Sequence, residues 1–384
     1  MESALIAVIP VAPLPLQHPA GPAWVLPCPG EVRWDVLAEV ELPREGTDGQ
    51  PLGGFSAAAM DPEGRSLWLL SDAPAPFLVP LHGAARLGES SGRPPVVGRR
   101  LRLTDANGQP FAHPLDGEGL VIKGEDIWIV SEGRRTPEES PRLLRFQRAS
   151  GRLLEAWDLP EAWQAAPGRG LGSNQGPEAL TLLPPSPLAA GGSGLPPSLL
   201  LAAERPLLQD PEGALRLLRF GPVARSLASN ASPATPVSAA PAAPAASTTP
   251  ETPALKPAIF PAGRLAVALE GPQWGLTELL APPRSGLLLG LVRGFAAPNR
   301  WWARLVAFPL PSNRPAGEDV PPLTPVRQWD LLAAGLSPDN WEALAVGPAL
   351  ADGRPTLLLA SDDNFNVMQA NRIARIAPRC PARP

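Results

Sequence analysis

The sequence predicts an all-β fold, a β-propeller whose blades are four-stranded sheets around a central channel. Three observations carry this prediction. Short apolar runs bounded by Gly, Pro, Asn and Asp follow one another with almost no helical periodicity, as is typical of strands joined by turns. The runs group in fours, at a spacing of roughly 60 residues. The last group lacks a fourth strand, whereas the N-terminal part of the chain contains a strand without a group.

Five repeated units can be counted along the chain. Their second strands are the clearest: Ser66–Asp72, Asp126–Glu132, Ser198–Glu204, Gly286–Arg293 and Thr356–Asp362. Third and fourth strands follow in each unit except the last, where the third strand, ending at Ile376, is the final one. The count favours five blades, and six remain possible because of a family resemblance described below.

The strand without a unit, Arg33–Leu42, shares its Trp-Asp pattern with the fourth strand at Arg327–Leu331. We expect it to complete the last blade and close the ring, which removes an exposed sheet edge. Closure would bring Cys28 near Cys380, the only two cysteines. We therefore predict a disulfide between them, which requires an oxidising compartment and Cα atoms within about 7 Å. Two unrelated thiols are the alternative.

Composition excludes several function classes. Apolar residues make up 44% and charged residues 18% of 384 residues, which is typical of a globular protein. The net charge of −4 argues against a general nucleic-acid binder. No stretch approaches the ~20 apolar residues of a transmembrane helix. We expect a monomer that acts on a small molecule.

The predicted domain organisation is simple. Residues 1–27 are a leader or the remnant of a signal peptide, because an apolar stretch is broken by prolines and no Lys or Arg precedes it. Residues 28–380 form one propeller domain. Residues 222–257, rich in Ala, Pro, Ser and Thr, are predicted to be a disordered insert within it, between the third and fourth strands of the third unit.

Four units begin their first strand at a glutamate, and the first unit has Ser56 there; the glutamates are Glu118, Glu178, Glu278 and Glu342. If the first strand of each blade is innermost, these carboxylates converge on one mouth of the channel. Converging carboxylates repel one another unless a cation lies among them. Calcium, which takes 6–8 oxygen ligands, is the expected cofactor. Three scattered histidines give zinc little support.

A second charged set ends the second strands, at Asp72, Glu132, Glu204, Arg293 and Asp362. Asp362 and Asp363 belong to the densest run of oxygen ligands, and we add both to the predicted metal site. Arg134, Arg205 and Arg293 lie near these acids and are predicted to bind a phosphate or carboxylate of the substrate. The alternatives are a ring of hydrogen-bonded carboxylates without chemistry, an Asx turn at Asp362 and solvated arginine ion pairs.

The ordered set of motifs resembles the family named "esterase-like activity of phytase". The resemblance spans about residues 50 to 376 and rests on eight motifs in sequence order: Gly53–Ala57, Leu69–Asp72, Asp116–Leu120, Ile129–Glu132, Asn174–Glu178, Thr277–Glu278, Asn340–Glu342 and Ser361–Phe365. It departs from the pattern at Arg293, where the other units have an acid, and in the long insert.

The resemblance implies a phytase-like β-propeller, usually exported to the periplasm or the cell exterior, that hydrolyses phosphoric or other esters. In the similar β-propeller phytases, calcium held by channel carboxylates binds phosphate and activates water, and the architecture has six blades. We predict Glu178 and Glu342 as the catalytic carboxylates of such a calcium-dependent hydrolase. A non-catalytic propeller that binds a ligand or protein and holds a structural calcium ion is the alternative.

Overall fold

Five antiparallel sheets follow one another along the chain in the computed structural model, which describes residues 32–90, 93–136, 139–173, 175–184, 198–222, 257–312, 315–317 and 319–379. Blade 1 contains β2 (Phe55–Met60), β3 (Ser66–Ser71), β4 (Phe77–His82), β5 (Val96–Val97) and β6 (Leu101–Arg102). Blade 2 contains β7 (Gly117–Lys123), β8 (Asp126–Ser131), β9 (Arg142–Gln147) and β10 (Leu153–Asp158).

Blade 3 contains β11 (Pro177–Leu183), β12 (Ser198–Ala203), β13 (Ala214–Pro222) and β14 (Pro257–Ala266). Blade 4 contains β15 (Trp274–Leu280), β16 (Leu287–Ala296), β17 (Arg300–Pro309) and β18 (Arg327–Asp330). Blade 5 contains β19 (Trp341–Gly347), β20 (Thr356–Ser361), β21 (Arg372–Arg379) and β1 (Arg33–Glu41). Two short 3₁₀ helices, Ala84–Arg86 and Glu161–Trp163, lie in connections.

The innermost strands form a closed ring of five. The first strand of each blade contacts the first strand of the next, in the order β2, β7, β11, β15 and β19, and β19 contacts β2 again. The predicted all-β propeller with five blades is therefore confirmed. The first strand of each repeated unit is the innermost, as the sequence pattern predicted.

The N-terminal strand closes the ring as predicted. β1 pairs antiparallel with β21, so that Arg33 lies opposite Arg379 and Glu41 lies opposite Arg372. Blade 5 thereby gains a fourth strand from the other end of the chain. Cys28 and Cys380 lie just outside the described residues, and the disulfide between them stays a prediction.

The hydrophobic core is divided among the gaps between neighbouring blades. Five clusters of buried apolar residues fill these gaps, one for each pair of adjacent blades. In the cluster between blades 3 and 4, for example, Leu215 and Leu217 pack with Leu276 and Phe308. Because both faces of a blade are covered, its second strand is mainly apolar and does not alternate, and β12, for example, is buried along its whole length.

The low-complexity segment lies between β13 and β14, two paired strands of blade 3. Pro222 at the end of β13 lies opposite Pro257 at the start of β14, so the chain between them connects the third and fourth strands of blade 3. The disordered insert stays a prediction. Residues 223–256 lie outside the described residues, as does the predicted leader at residues 1–27. None of the helices in the described part of the chain is long and apolar enough to cross a membrane.

Candidate functional site

Each inner strand carries a β-bulge at the same place, where it begins beside the end of the second strand. In blade 1 the register slips between Phe55 and Ala57, and Ser56 is left unpaired. The unpaired residues of the other blades are Glu118, Glu178, Thr277 and Glu342. A bulge re-aims the side chain that it carries. The three glutamates of this set line one cavity at the channel mouth.

Blade 4 corrects the predicted equivalence of four glutamates. Its bulge places Thr277, not Glu278, in register with Glu118, Glu178 and Glu342. A shift of one residue turns a side chain to the other face of a strand. The Glu278 carboxylate is accordingly buried away from the cavity, where its Oε1 accepts hydrogen bonds from the backbone N–H groups of Leu180 (3.2 Å) and Leu279 (2.9 Å).

The second charged set lies beside the bulges because the first two strands of each blade are antiparallel. In four blades the backbone N–H of the acid donates a 2.9 Å hydrogen bond to a carbonyl oxygen of a residue just before the inner strand. The pairs are Asp72 with Gly54, Glu132 with Asp116, Glu204 with Gly176 and Asp362 with Asn340. In blade 4, Arg293 lies opposite Gly275 at the corresponding place. Four blades therefore present an acid here, and one blade presents a guanidinium.

Two carboxylate triads result, and each has ligand atoms that lie within 4.8 Å of one another. The first triad, from blades 1 and 2, is Asp72, Asp116 and Glu118; the second, from blades 2 and 3, is Glu132, Glu178 and Glu204. The cavity that they adjoin has a volume of about 740 Å³. Among the described residues, neither the Glu118 nor the Glu178 carboxylate has a hydrogen-bond partner, although the two side chains are only 8% and 7% exposed.

Burial is the largest cause of the raised pKa values in both triads. It raises the pKa of Asp72 to about 7 and that of Glu204 to about 7, and it raises the pKa of Glu132 to about 8. The pKa values of Glu118 and Glu178 lie well above the usual range, because burial and then neighbouring carboxylates disfavour the charged forms. Such a set of acids favours a cation among them.

Glu342 is held differently from the other two bulge glutamates. Its Oε1 accepts a 2.8 Å hydrogen bond from the Arg293 guanidinium and a 2.9 Å bond from Asn340 Nδ2. Burial raises the pKa of Glu342, and Arg293 acts in the opposite direction. The predicted substrate-binding residue Arg293 thus lines the cavity while neutralising Glu342.

The other two predicted arginines also line the cavity. Arg134 is 55% exposed and lies 3.7 Å from Asp116 and 3.8 Å from Glu139, measured between guanidinium nitrogen and carboxylate oxygen. Arg205 donates hydrogen bonds to the carbonyl groups of Gly271 (3.2 Å) and Trp274. Arg134 is therefore the more accessible of the two to a bound anion.

The neighbouring aspartates of blade 5 differ in position. Asp362 lines the cavity, and its Oδ1 accepts a 2.8 Å hydrogen bond from the backbone N–H of Asn364, as in the Asx turn considered above. Asp363 does not line the cavity. Its oxygens accept hydrogen bonds from Gly54 N (3.0 Å), Phe365 N (3.1 Å) and Asn371 Nδ2 (3.1 Å). Asp363 therefore joins blade 5 to blade 1.

Four of the triad carboxylates lie outside the metal set predicted from the sequence: Asp72, Asp116, Glu132 and Glu204. Three of them were recognised as a repeated set at the strand ends. Their place in the triads follows from the antiparallel pairing of the first two strands, which puts the end of a second strand beside the start of the first. Asp116 stands two residues before Glu118 and has a positive φ of 52°, which re-aims the chain there.

The fold and the site together define a five-bladed β-propeller with a carboxylate-lined cavity at one channel mouth. The model of the phytase-like family, described as esterase-like activity of phytase, matches residues 50–365. The chain belongs to this family. No curated protein matches it.

Three solved structures are similar to this chain at low identity. The WD40 domain of Neurospora crassa Pan2 is 10% identical, with 91% of this chain and 97% of that chain covered and a TM-score of 0.31. An endo-arabinase from Bacteroides thetaiotaomicron is 11% identical (86% and 95% covered, TM-score 0.40). The Cellvibrio cellulosa alpha-L-arabinanase complexed with arabinohexaose is 10% identical (86% and 94% covered, TM-score 0.39). Likenesses at this level carry no information about activity.

Proposed function

We propose that the protein is a calcium-dependent hydrolase of phosphoric or other esters, with metal and substrate at the channel mouth. The observation that carries the proposal is the pair of carboxylate triads beside one cavity, with Asp72 and Asp116 half-buried and the second triad buried. Each triad has a buried glutamate, Glu118 or Glu178, that has no hydrogen-bond partner among the described residues. A buried carboxylate without a partner is costly. A bound cation removes that cost.

The donor set fits calcium better than a transition metal. Both triads offer only carboxylate oxygens, and no histidine lines the cavity in the described part of the chain. Calcium takes oxygen ligands in irregular arrangements, whereas zinc sites in proteins use nitrogen and sulfur ligands as well. Asp72, Asp116 and Glu118 would hold one ion, and Glu132, Glu178 and Glu204 would hold a second.

Bound calcium would supply positive charge for an ester oxyanion and lower the pKa of a coordinated water. The protein's own groups would orient the substrate. Arg134, half-exposed at the rim, is available to donate to a phosphate or carboxylate oxygen. Glu342, fixed by Arg293 and Asn340, stays the proposed second catalytic carboxylate beside Glu178. We leave Glu278 and Asp363 out of the proposed metal site.

Membership of a family described by esterase-like activity supports a hydrolase that acts on a small molecule. Location in the periplasm or outside the cell remains part of the proposal, since calcium is abundant there and the predicted disulfide requires an oxidising compartment. Export is tested by fractionating cells that express the full chain and probing each fraction for the protein.

The decisive experiment compares the wild-type chain with Glu118→Gln, Glu178→Gln and the matched control Glu278→Gln. Hydrolysis of phytate and of simple phosphate and carboxylate esters is measured with calcium and with a chelator, and thermal unfolding is followed in parallel. We expect calcium to raise both activity and Tm in the wild type and in the control, and to do so less in the two site variants.

Each outcome has one interpretation. Activity that is indifferent to calcium and to both site substitutions would overturn the proposal. A calcium-dependent rise in Tm without turnover of any ester would instead favour the alternative function, a non-catalytic propeller with a structural ion. Equal loss of the calcium response in Glu278→Gln would show that the substitutions act through the fold and not through the cavity.

A further inference from the structure

We infer that the cavity takes an ester with at most two negative charges and a flat apolar group, such as an aryl ester, and not a polyphosphate. The inference rests on the proposed function and names its substrate class. It is carried by two aromatic elements at the cavity rim and by the charge balance of the cavity wall.

The first aromatic element is the hairpin of blade 4. β16 and β17 each have 10 residues, whereas the corresponding strands β3 and β4 of blade 1 have 6. At the extended end Phe295 lies opposite Trp301, with ring centroids 4.5 Å apart, and both side chains line the cavity. The backbone N–H of Phe295 donates a 3.1 Å hydrogen bond to Gln273 O, which fixes the hairpin to the preceding loop.

The second aromatic element is Phe365, in the loop after β20. Phe365 has a φ of 50° and the preceding Asn364 a φ of 47°, a conformation that bulky residues rarely adopt. The carboxylates of Asp362 and Asp363 hold the two backbone N–H groups, and a Cβ on Gly54 would lie 2.6 Å from the Phe365 ring. The chain thus maintains a strained backbone that keeps an aromatic ring at the cavity rim, 43% exposed.

The charge of the cavity wall limits the charge of the ligand. Among the described residues that line it, seven are carboxylates and three are arginines. Arg293 is already paired with Glu342, and Arg205 with backbone carbonyls. Seven carboxylates and three arginines give the wall four more negative than positive charges, and two divalent cations would balance these four. Little positive charge is then left for a ligand with several phosphates.

The cavity is large enough for the inferred substrate. Its volume of about 740 Å³ lies within the range of 300–1,000 Å³ that accommodates drug-sized ligands. A phenyl ring beside Phe295 and Trp301 would gain both apolar burial and ring–ring contact, together worth about tenfold in affinity. The acidic wall would remain for the cations and the reacting ester group.

The test measures binding separately from catalysis. Affinities of phenylphosphonate, methylphosphonate and phytate for the calcium-loaded full chain are determined by calorimetry for the wild type, Trp301→Ala and the control Trp302→Ala. Trp302 neighbours Trp301 on β17 but packs against Trp274, outside the cavity. We expect phenylphosphonate to bind about tenfold more tightly than methylphosphonate, and Trp301→Ala to remove this preference. Phe295→Leu serves if Trp301→Ala does not fold.

Equal affinities for the two phosphonates, no binding of either, tighter binding of phytate, or an unchanged preference in both Trp301→Ala and Phe295→Leu would each overturn the inference. A lost preference in Trp302→Ala would overturn it as well. Calcium-dependent hydrolysis without aryl preference would refute the inference and leave the proposed function standing. Aryl preference without hydrolysis of any ester would refute the proposed function and leave the inferred binding specificity.

Discussion

Arg293 of blade 4 donates a 2.8 Å hydrogen bond to Glu342 of blade 5, across the boundary between the two blades. The side chains are 17% and 9% exposed. Arg293 stands in the one blade where the end of the second strand is not acidic, and Glu342 belongs to the set of bulge glutamates. Glu342 is therefore paired with an arginine, whereas the carboxylates of the two triads, in blades 1 to 3, are grouped with one another.

Replacing Arg293 with methionine should destabilise the fold. The substitution leaves the Glu342 carboxylate buried without a cationic partner, which costs about 3 kcal/mol or more when one member of a buried pair is removed. Urea unfolding in the presence of chelator measures the loss. The double variant with Glu342→Gln should recover most of it, and an Arg293→Met chain as stable as the wild type would contradict the assigned pairing.

Substitutions in the two triads should remove calcium ions one at a time. Glu118 and Glu178 belong to different triads, so Glu118→Gln and Glu178→Gln should each lower the amount of bound calcium by one ion per chain. Elemental analysis after gel filtration provides the measurement. The same stoichiometry in both variants and in the wild type would show that the triads do not hold the ions.

Asp363→Ala should lower stability without lowering calcium stoichiometry. The substitution removes the acceptor of hydrogen bonds from Gly54, Phe365 and Asn371, and the 3.3 Å ion pair with Arg44. Hydrogen bonds to a charged group contribute about 1.5–3 kcal/mol each, so the expected loss in unfolding free energy is several kcal/mol. Asp363→Asn, which keeps one acceptor oxygen, should lose less. A loss of bound calcium at unchanged stability would restore Asp363 to the metal site.

Glu278→Gln should make stability less dependent on pH. Burial raises the pKa of Glu278 well above 4.5, although two backbone N–H groups act in the opposite direction. Protonated Glu278 therefore contributes to the unfolding free energy, and this contribution is fully present below the unfolded-state pKa of Glu278. It is lost as pH rises through the folded-state pKa, by about 1.4 kcal/mol for each unit of difference between the two pKa values.

Urea unfolding of both proteins at a series of pH values checks this expectation. The unfolding free energy of the wild type should fall relative to that of Glu278→Gln as pH rises above 4.5. A difference that stays constant over this range would show that the folded protein does not hold Glu278 in its protonated form.

Most of the blade architecture could be predicted because each strand carries its own local signal. The turn residues and apolar runs indicate the strands. The strand at Arg33–Leu42 could be assigned to blade 5 because the last unit lacked a fourth strand. These features depend on short segments that one sequence shows directly.

The details of the site depend on register, which the sequence does not show. Thr277 and Glu278 are adjacent, and only the bulge of β15 decides which of them faces the cavity. Asp362 and Asp363 are likewise adjacent, and tertiary hydrogen bonds direct Asp363 toward blade 1. Trp301 and Phe295 lie opposite each other on an extended hairpin, and only the folded structure shows that both line the cavity.

Closure by β1 has a consequence for folding during synthesis. Among the described strands, β1 is made first, and its partner β21 is made last. Until β21 has been made, β1 has no partner strand and blade 5 cannot be completed. Blades 1 to 4 contain neither β1 nor β21, so they can assemble in order as domains do during translation. The pairing of β1 with β21 is then a single long-range step, and non-local pairing of this kind slows folding because its loop-closure entropy must be overcome first.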